Sequence, residues 1–404
     1  MTISVFTPTH DPRYLPETYD SLKIQDCGDF EWVIVPNGKC VLADIPGEIS
    51  KDKRVRIVPF EGKMDGKPRI GLLKKFACDQ CKGDLFVELD HDDMLMPGVL
   101  AELLRLQKEG AGFIFSDTVN FVSGVHGPEP FTFDAAYGWE TYEVRIFGRE
   151  LRAMRNFETT PRSLCEIYFA PDHVRAWTRA AYYRAGGHDV ELGLGDDHDL
   201  VCRTYLAGIP FGHLKSAGYI YRRHSHGASQ QYNADIVAQS LKTRQKYLHR
   251  LITEWIRRES VRFINLWPGG PPAKGFRINA EDSSIGCIRA YGVLHKIPRE
   301  KLPRVMNEIY RVLMPGGWLC TLTPSTSGPE AFTPIAASWW NALSFDFFCH
   351  RDKARLLKGY TGRFQLVQVF EDFPCKDLSI TRSPWICADM VCLKGQRTPG
   401  RMFI

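Results

Sequence analysis

Long apolar runs are missing from this 404-residue sequence, and their absence excludes one class of protein. No stretch approaches the roughly 20 consecutive apolar residues that a membrane-spanning helix needs. The first residues, MTISVFTPTH, pass directly into a strand-like segment and show no signal-peptide pattern. We therefore expect a soluble, cytoplasmic protein without an integral membrane segment.

An excess of charge of one sign is also missing. Lys and Arg number 52 and Asp and Glu number 47, which gives a formal net charge of +5 with both signs interspersed. A nucleic-acid-binding protein usually concentrates a basic stripe, so no nucleic-acid partner is expected. The chain is 44% hydrophobic and 12% aromatic, which is enough to form sizeable cores and argues against disorder.

The twelve cysteines do not have the distribution of a disulfide framework, because they are scattered and mostly lie in apolar stretches. Such frameworks belong to much smaller secreted chains, so reduced and buried thiols are expected here. Cys78 and Cys81 form a CxxC pair on the apolar face of a predicted helix, without a second pair at zinc-ligand spacing. We predict that this pair packs in the core.

Residues 2 to about 118 alternate strand-like segments with segments of helical period, which favours a mostly parallel sheet covered by helices. The strands are predicted at Ile3–Thr7, Glu31–Val35, Arg54–Phe60, Leu85–Leu89 and Ala111–Ser116. The helices are predicted at Leu15–Gln25, Ile70–Cys81, after Pro97, and further along at Arg175–Gly186 and Asp199–Ala207. Residues 119–165 have no clear period and are predicted to be loops with an inserted hairpin.

A second α/β alternation begins after a long polar segment of helical period, Ala234–Glu259, which contains neither Gly nor Pro. Its predicted elements are a strand at Val261–Leu266, a helix at Lys301–Leu313 and a strand at Trp318–Leu322. A chain of this length is comfortable for two domains. We predict one domain at 1–235, a connecting helix at 236–258 and a second domain at 259–404.

An acidic cluster, Asp90-His91-Asp92-Asp93, follows directly on the fourth predicted strand. The carboxyl ends of strands in an open parallel sheet face the ligand crevice. Carboxylates two positions apart at such an end can converge on Mg²⁺ or Mn²⁺, which then holds phosphate oxygens. An acidic turn is often only a solvated loop, so the cluster alone does not decide between the two interpretations.

Four motifs in order make residues 2–230 resemble the family 2 glycosyltransferases of the GT-A fold. They are TPTHDPRYLPETYDSL, FEWVIVPNG, GKPRIGLLKK and VELDHDDMLMPG. The resemblance implies a nucleotide-binding α/β fold and an enzyme that uses Mn²⁺ or Mg²⁺. It also implies transfer of a sugar, generally with inversion, from a nucleotide-diphospho-sugar to a glycan or protein acceptor. A UDP-sugar is the favoured donor, and homo-oligomerisation is left open.

By this resemblance, the ends of the first two predicted strands bind the nucleoside. Thr7, Pro8 and Thr9 would cradle it, with Asp11 beside them. Asn37 stands where the family usually has an aspartate that reads the uracil edge. Because an amide carries no charge, the resemblance leaves the identity of the base open.

The same resemblance assigns the phosphate and metal region. Lys74 falls where the family commonly has an arginine near the nucleotide phosphates, and the alternative is an exposed helix lysine. Asp90 and Asp92 match the D-x-D pair. Asp92 would be the direct metal ligand, and Asp90 would contact the ribose or the sugar and belong to the same metal motif.

A second acidic cluster begins a predicted helix at Gly195-Asp196-Asp197-His198-Asp199. Acids at a helix start are often caps. The segment resembles the family motif whose second acid is the general base, which implies Asp197 as the base, supported by Asp196, and we expect Asp199 to be the cap. A carboxylate so placed can take the proton of an acceptor hydroxyl as the new C–O bond forms.

A basic run, Arg222-Arg223-His224-Ser225-His226, follows a strand-like segment. Arginine and histidine can hold a diphosphate or a metal, although a solvated basic loop is the alternative. The resemblance implies that His224 completes the metal shell, with His226 as the fallback, and that Arg222 or Arg223 contacts phosphate.

Two tryptophans, Trp139 and Trp177, lie in the region that would wall the acceptor site. Aromatic rings stack on sugars, although most such residues belong to cores. We keep both as candidate acceptor-site residues.

The C-terminal part resembles class I SAM-dependent methyltransferases over roughly 259–394, chiefly through EIYRVLMPGG. Trp267-Pro268 conflicts with the close backbone approach of the usual first glycine loop. Glu281 or Asp282 could meet ribose hydroxyls, yet a strand–helix unit is missing after them. We therefore predict a degenerate Rossmann-like domain, in which SAM binding is not expected. A SAM-dependent methyltransferase acting on a glycan and a non-catalytic sugar-nucleotide-binding scaffold remain alternatives for the chain.

Overall fold

The computed structural model describes residues 2–62, 67–124, 127–135, 138–146, 148–267, 269–272, 275–373 and 383–394. The chain divides into two compact units, the first reaching Leu251 and the second beginning at Ile252. The division falls inside one long helix. Among the described residues, none of the helices combines the length and the apolar character needed to cross a bilayer.

The described part of the first unit contains eleven strands and nine α-helices. The strands are β1 (Ile3–Thr9), β2 (Phe30–Pro36), β3 (Val55–Ile57), β4 (Leu85–Glu88), β5 (Met94–Leu95), β6 (Phe113–Gly124), β7 (Gly127–Phe131), β8 (Thr141–Ile146), β9 (Arg149–Met154), β10 (Arg175–Thr178) and β11 (Phe211–Arg223). The helices are α1 (Leu15–Lys23), α2 (Gly47–Ser50), α3 (Ile70–Gln80), α4 (Val99–Lys108), α5 (Pro161–Glu166), α6 (Arg179–Arg184), α7 (Asp196–Leu206), α8 (Ala228–Gln231) and α9 (Asn233–Glu259).

These strands form one sheet. Eight of them follow the order β3-β2-β1-β4-β10-β6-β11-β5, while β7 and β9 pair with β6 and β8 pairs with β9. The four strands β3, β2, β1 and β4 are mutually parallel, with Val5 paired to Trp32 on one side and Val87 on the other. β10 is antiparallel to both of its neighbours, whereas β11 is parallel to β6. Because β1, β2 and β4 are parallel, their carboxyl ends meet at one edge of the sheet.

The central strands of the first unit are buried on both faces, as parallel strands covered by helices usually are. Val5, Trp32 and Val87 are all 0% exposed and belong to one continuous core. Some polar groups in this core are paired, and Thr7 is an example. Thr7 accepts from Trp32 Nε1 at 2.8 Å and donates its hydroxyl hydrogen to the Leu89 carbonyl at 2.7 Å.

One predicted helix is partly wrong. Of the segment Arg175–Gly186, residues Arg175–Thr178 form strand β10, and the helix begins only at Arg179. The reason is tertiary, because β10 fills the space between β4 and β6 and its backbone pairs with both. Thr178 then ends the strand and caps α6 by accepting from the Ala181 N–H.

The connecting region also contains more regular structure than the sequence pattern indicates. Strands β8 and β9 form the predicted hairpin, with Glu143 opposite Arg152. In addition, β6 continues to Gly124 and α5 occupies Pro161–Glu166. The sequence does not predict these elements because its apolar and polar residues follow neither a strand period nor a helix period there.

The second unit contains five strands and three α-helices in its described residues. They are β12 (Phe263–Asn265), β13 (Ile285–Tyr291), α10 (Leu302–Val312), β14 (Leu313–Pro324), α11 (Asp346–Cys349), α12 (Arg351–Ala354), β15 (Phe364–Asp372) and β16 (Trp385–Cys392). The sheet order is β12-β13-β14-β16-β15. The first two pairs are parallel and the last two antiparallel. The methyltransferase-like character of this unit stays a prediction.

The eleven described cysteines are free, and all except Cys27 and Cys349 are buried. Cys78 and Cys81 are 0% and 4% exposed. Burial is therefore confirmed for nine of the eleven described cysteines, and the reduced state of the thiols stays an expectation.

Candidate active site

A cavity of about 630 Å³ opens where several elements of the first unit end. Asp90 enters it directly after β4, Arg175 enters it from the start of β10, and Arg223 enters it from the end of β11. Asp196 and Asp197 are the first two residues of α7 and lie on the same cavity. Asp90 of the first acidic cluster therefore shares a cavity with Asp196 and Asp197 of the second, whereas Asp92 is not among the lining residues.

The floor of this cavity is a buried network of charged groups centred on Glu88. Glu88 Oε1 lies 2.6 Å from Lys74 Nζ, 3.4 Å from His173 Nε2 and 3.6 Å from Arg175 Nη1. Lys74 Nζ and His173 Nε2 each also lie 3.9 Å from a carboxylate oxygen of Asp90. Because burial of an unpaired charge is costly, the opposite charges in this network stabilise one another.

The network changes the proton affinity of its members. Burial and Arg175 would lower the pKa of His173, but hydrogen bonds to Asp172 and Glu88 outweigh them and raise it to about 9. Burial would raise the pKa of Glu88, whereas Lys74 and then His173 hold it well below its usual range. The floor therefore carries protonated His173 and ionised Glu88 at neutral pH.

Asp197 is the most accessible carboxylate of the α7 cluster, with 24% of its side chain exposed. Its Oδ2 accepts from Arg175 Nη1 at 2.6 Å, and its Oδ1 accepts from the His198 N–H at 2.7 Å. Burial would raise the pKa of Asp197, but Arg175 and Lys74 together lower it. Asp197 is therefore an ionised carboxylate that faces the cavity.

The other two acids of this cluster are buried. Burial raises the pKa of Asp196 to about 7, with Lys74 opposing the shift and Asp197 adding to it. The prediction that Asp199 caps α7 is wrong, because the cap position is Gly195. Asp199 lies inside the first turn and accepts instead from Arg203 Nε at 2.6 Å and from the Tyr247 hydroxyl at 2.8 Å.

Asp92 and His224 lie side by side, with Asp92 Oδ2 2.8 Å from His224 Nε2. Two ligands that bind one cation at right angles at about 2.1 Å are separated by about 3 Å, so this pair fits the shell of a divalent ion. A carboxylate with an imidazole suits Mn²⁺, and the carboxylate suits Mg²⁺. Asp93, beside them, is buried and accepts from the Arg222 N–H at 2.7 Å.

A second group of metal-type ligands, Glu88, Asp90 and His173, does not fit a metal ion as well. Their ligand atoms lie within 4.8 Å of one another. However, the Lys74 ammonium already sits against Glu88 at 2.6 Å and His173 is protonated, with its pKa near 9. Lys74 thus provides the positive charge at this point. Its side chain is buried, so it is not the exposed helix lysine of the alternative.

The two arginines of the basic run have different positions. Arg223 lines the cavity, whereas Arg222 is 7% exposed and is not among the lining residues. The Arg222 guanidinium pairs with Glu17 and lies 4.4 Å from the centre of the Tyr14 ring. The Arg222 charge thus joins β11 to α1, whereas Arg223 is the arginine that lines the cavity.

The predicted nucleoside-binding residues end β1 or lie just after β1 and β2 at the same sheet edge, and none of them is among the residues that line the 630 Å³ cavity. Thr7 and Thr9 are 0% exposed, so their side chains pack within the fold, and their assignment to the nucleoside stays a prediction. Asn37 is 6% exposed and donates to the Val35 carbonyl at 3.2 Å. Asp11 is half-buried, and a hydrogen bond from Arg13 lowers its pKa to about 2. Pro8 is half-buried between the two threonines.

Both candidate acceptor-site tryptophans prove to be core residues. Trp177 is 0% exposed and donates from Nε1 to Thr204 Oγ1 at 3.1 Å. Trp139 is 3% exposed and packs with Phe157 in an aromatic cluster. Neither presents a ring face to the cavity, so the acceptor assignment is corrected. The aromatic residues that do line the cavity are Phe133, Tyr168, Phe169 and Tyr221.

Sequence reasoning missed Glu88, His173 and Arg175. A signal existed for Glu88, since a carboxylate inside the apolar strand LFVEL needs a buried partner. No local signal marks Arg175, because its segment has helical period and the strand forms only by pairing with β4 and β6.

Comparison with known proteins finds a family model that matches part of the first unit. Residues 4–160 match the model described as Glycosyl transferase family 2. This confirms the predicted resemblance over those residues, which include Asp90 and Asp92 but neither Asp197 nor His224. None of the curated proteins compared with the chain matches it.

Similar solved structures include the crystal structure of S. aureus TarS 1-349, which is 16% identical with a TM-score of 0.43. This match covers 77% of this chain and 80% of that one. The same fragment in complex with UDP-GlcNAc is 15% identical with a TM-score of 0.43 and the same coverage. The mannosyltransferase PcManGT from Pyrobaculum calidifontis, in complex with GDP-Man and Mn²⁺, is 15% identical over 63% of this chain and 64% of that one, with a TM-score of 0.38.

Proposed function

We propose that the first unit is a glycosyltransferase that moves a sugar from a nucleotide-diphospho-sugar to a hydroxyl group of a glycan or protein acceptor. A UDP-sugar is the favoured donor. The observation that carries the proposal is that Asp90 and Asp197, which are distant in sequence, line one cavity. The family match over residues 4–160 supports the same reaction class.

In this proposal Asp197 is the general base. It is ionised, and part of its side chain faces the cavity, so it can accept the proton of the acceptor hydroxyl as the hydroxyl oxygen attacks the sugar. Holding acceptor and donor in line for attack from the opposite side of the leaving group gives inversion. Asp196, next to it on the cavity, supports the base.

Asp92 and His224 would hold the divalent cation, Mn²⁺ or Mg²⁺, and Asp90 would contact the ribose or the sugar of the donor. When bound, the cation neutralises charge on the departing nucleoside diphosphate. Arg223 lines the cavity and is the arginine we assign to the phosphates. Lys74 Nζ and His173 Nε2, each 3.9 Å from a carboxylate oxygen of Asp90, would help to position that carboxylate.

The test measures UDP release from a panel of UDP-sugars with Mn²⁺, together with thermal stabilisation of the chain by UDP and Mn²⁺. A ligand at a hundredfold excess over Kd stabilises by about 2.7 kcal/mol, which such an assay detects. We expect Asp197→Asn to lower UDP release by about a hundredfold to ten-thousandfold, since that is the usual contribution of a general base.

The matched control is Asp20→Asn, whose side chain is 67% exposed on α1. It should release UDP at the wild-type rate. Failure of UDP with Mn²⁺ to stabilise the wild type, together with no UDP release from any UDP-sugar, would refute the proposed donor class. An Asp197→Asn variant with full activity would place the base elsewhere.

For the second unit we propose a degenerate methyltransferase-like domain without SAM-dependent activity. Its mixed five-stranded sheet supports the likeness. The connection from Asn265 to Ile285 contains no helix among its described residues, and Glu281 and Asp282 lie in this connection, before β13, and not at the end of a second strand. Addition of SAM to the full chain should leave its melting temperature unchanged. A saturable increase in melting temperature would instead favour the methyltransferase alternative.

A further inference from the structure

We propose that Arg175 is a positioning residue for Asp197, and that Glu88 keeps Arg175 in place for this role. The inference rests on the proposed function of Asp197 as a general base. It assigns a role to two buried residues for which packing alone gives no explanation.

Arg175 occupies an unusual place for an arginine. It is the first residue of β10, in the middle of the sheet, and it is 1% exposed. In the antiparallel pairing of β10 with β4, Arg175 lies directly opposite Glu88. Opposite-charge pairs at such cross-strand positions are neighbours on one face of the sheet. The two residues are therefore fixed by the backbones of two central strands.

The guanidinium of Arg175 is held on several sides. Its Nε donates to the Pro171 carbonyl at 3.1 Å, and its Nη2 donates to the Phe169 carbonyl at 3.4 Å. Its Nη1 lies 3.6 Å from Glu88 Oε1. An arginine has a planar fork of donors, so fixing two of its nitrogens also fixes the direction of the third.

That third nitrogen is directed at Asp197, with a distance of 2.6 Å from Arg175 Nη1 to Asp197 Oδ2. The other oxygen of Asp197 accepts from the His198 N–H at 2.7 Å. Both oxygens are thus held, and the plane of the carboxylate is set while 24% of the side chain remains exposed. Proton transfer depends on such alignment, since misplacement by about 1 Å can cost a hundredfold in rate.

Glu88 has a second effect in this arrangement. Arg175 alone would stabilise the ionised form of Asp197 and make it a weaker base. Glu88, facing the same guanidinium, raises the pKa of Asp197 and partly offsets Arg175. Lys74 of α3 and His173 also act on Asp197 and lower its pKa, and the adjacent Asp196 is a further titratable group that interacts with it.

The central variant is Arg175→Met, which removes the charge and the donors but keeps most of the length. With Mn²⁺ and a UDP-sugar that the wild type turns over, we expect kcat for UDP release to fall at least tenfold. KM for the UDP-sugar should stay within twofold, because Arg175 acts on the base and not on donor binding. Arg175→Lys keeps the positive charge but lacks the planar fork of donors. Its kcat should lie between those of the wild type and Arg175→Met.

The matched control is Arg179→Met. Arg179 lies four residues further along, donates to the carbonyls of Gly83 and Cys81 at 3.0 and 2.6 Å, and does not line the cavity. It should retain the wild-type kcat. Where Arg175→Met fails to fold, the pH profile of Arg175→Lys decides, because the weaker hydrogen bond should move the acidic limb of kcat to higher pH. Arg179→Lys should leave that limb in place.

The proposal is overturned if Arg175→Met keeps the wild-type kcat, or if kcat falls only as much as in Arg179→Met. An acidic limb that does not move in Arg175→Lys also overturns it. These outcomes differ from failure of the proposed function itself, in which the wild-type chain releases no UDP. They also differ from a wrong assignment of the base, in which Asp197→Asn stays active.

Discussion

The two sheets of this chain are built from similar elements, but they differ in the charged side chains that they bury. At the edge of the first sheet, Lys74, Glu88, Arg175 and Asp196 are between 0% and 7% exposed. In the described part of the second unit, Asp389 is the single buried carboxylate, and neither Lys nor Arg is buried there. The strands of both sheets are otherwise filled with apolar side chains.

This difference indicates where the chain carries out chemistry. Taking charges out of water costs several kcal/mol for each ion, even when opposite charges recover part of it. A fold needs no such cluster for its stability, as the second sheet illustrates. Perturbed ionisable groups that converge on a cavity are typical of functional sites, which supports placing the reaction at the first sheet.

The largest effect that separates the two sheets should come from removing their buried acids. Glu88→Gln leaves Lys74 and Arg175 buried without their shared partner, so we expect a loss of about 3 to 5 kcal/mol in the free energy of unfolding. The isosteric change Asp389→Asn should cost only about 1 kcal/mol, because the new amide oxygen can still accept from Gln368 Nε2, now at 2.7 Å from the carboxylate. Urea unfolding of the full chain measures both, and equal losses would contradict the comparison.

The next effect is on pH dependence, in opposite directions for a histidine of each unit. The pKa of His173 is raised from 6.5 to about 9, so its contribution to stability is full below pH 6.5 and is lost as the pH rises through 9. The shift corresponds to at most about 3 kcal/mol. Burial lowers the pKa of His295 to about 4, so its contribution is present above pH 6.5 and is lost as the pH falls through 4.

Urea unfolding at several pH values tests this contrast. His173→Gln should remove the loss of stability as the pH rises from 6.5 to 9. His295→Gln should remove the loss of stability as the pH falls from 6.5 to 4. If His173→Gln leaves the loss of stability between pH 6.5 and 9 unchanged, His173 is not the group that titrates there.

A smaller effect is expected on ligand binding at the first sheet. His224→Ala removes one of the two proposed metal ligands, so we expect the Kd for UDP in the presence of Mn²⁺ to rise about tenfold, or about 1.4 kcal/mol. His226 is exposed two residues further on, and His226→Ala is the matched control. Calorimetric titration with and without Mn²⁺ measures the difference. Equal Kd values for the two variants would remove His224 from the metal site.

The smallest effect is one that the two sheets should share. Trp177 donates from Nε1 to Thr204 at 3.1 Å, and Trp340 in the second unit donates from Nε1 to Ser338 at 3.0 Å. Each Trp→Phe change should cost about 1 to 2 kcal/mol through the lost hydrogen bond and contacts. Neither should change the rate of UDP release. A large loss of activity in Trp177→Phe alone would return Trp177 to the acceptor site.

Much of the first sheet can be predicted from local patterns. Strands such as Ile3–Thr9 and Phe30–Pro36 are apolar runs that stop at turn residues, and the predicted bounds differ from the observed ones by a few residues. The acids after β4 and at the start of α7 are also visible in the sequence. The sequence pattern does not show which side chains are buried. Trp139, Trp177 and Arg222 are therefore plausible ligand contacts in the sequence, although all three are buried and none lines the cavity.

The sequence by itself determined that acids stand at the end of β4 and at the start of α7, because both signals are local runs of adjacent residues. Only the tertiary structure decided what holds those acids. Arg175 and Glu88 lie 87 positions apart (175 − 88) and become partners only when β10 enters the sheet beside β4. Pairing between strands depends on contacts across the whole sheet, and no periodicity within β10 records it.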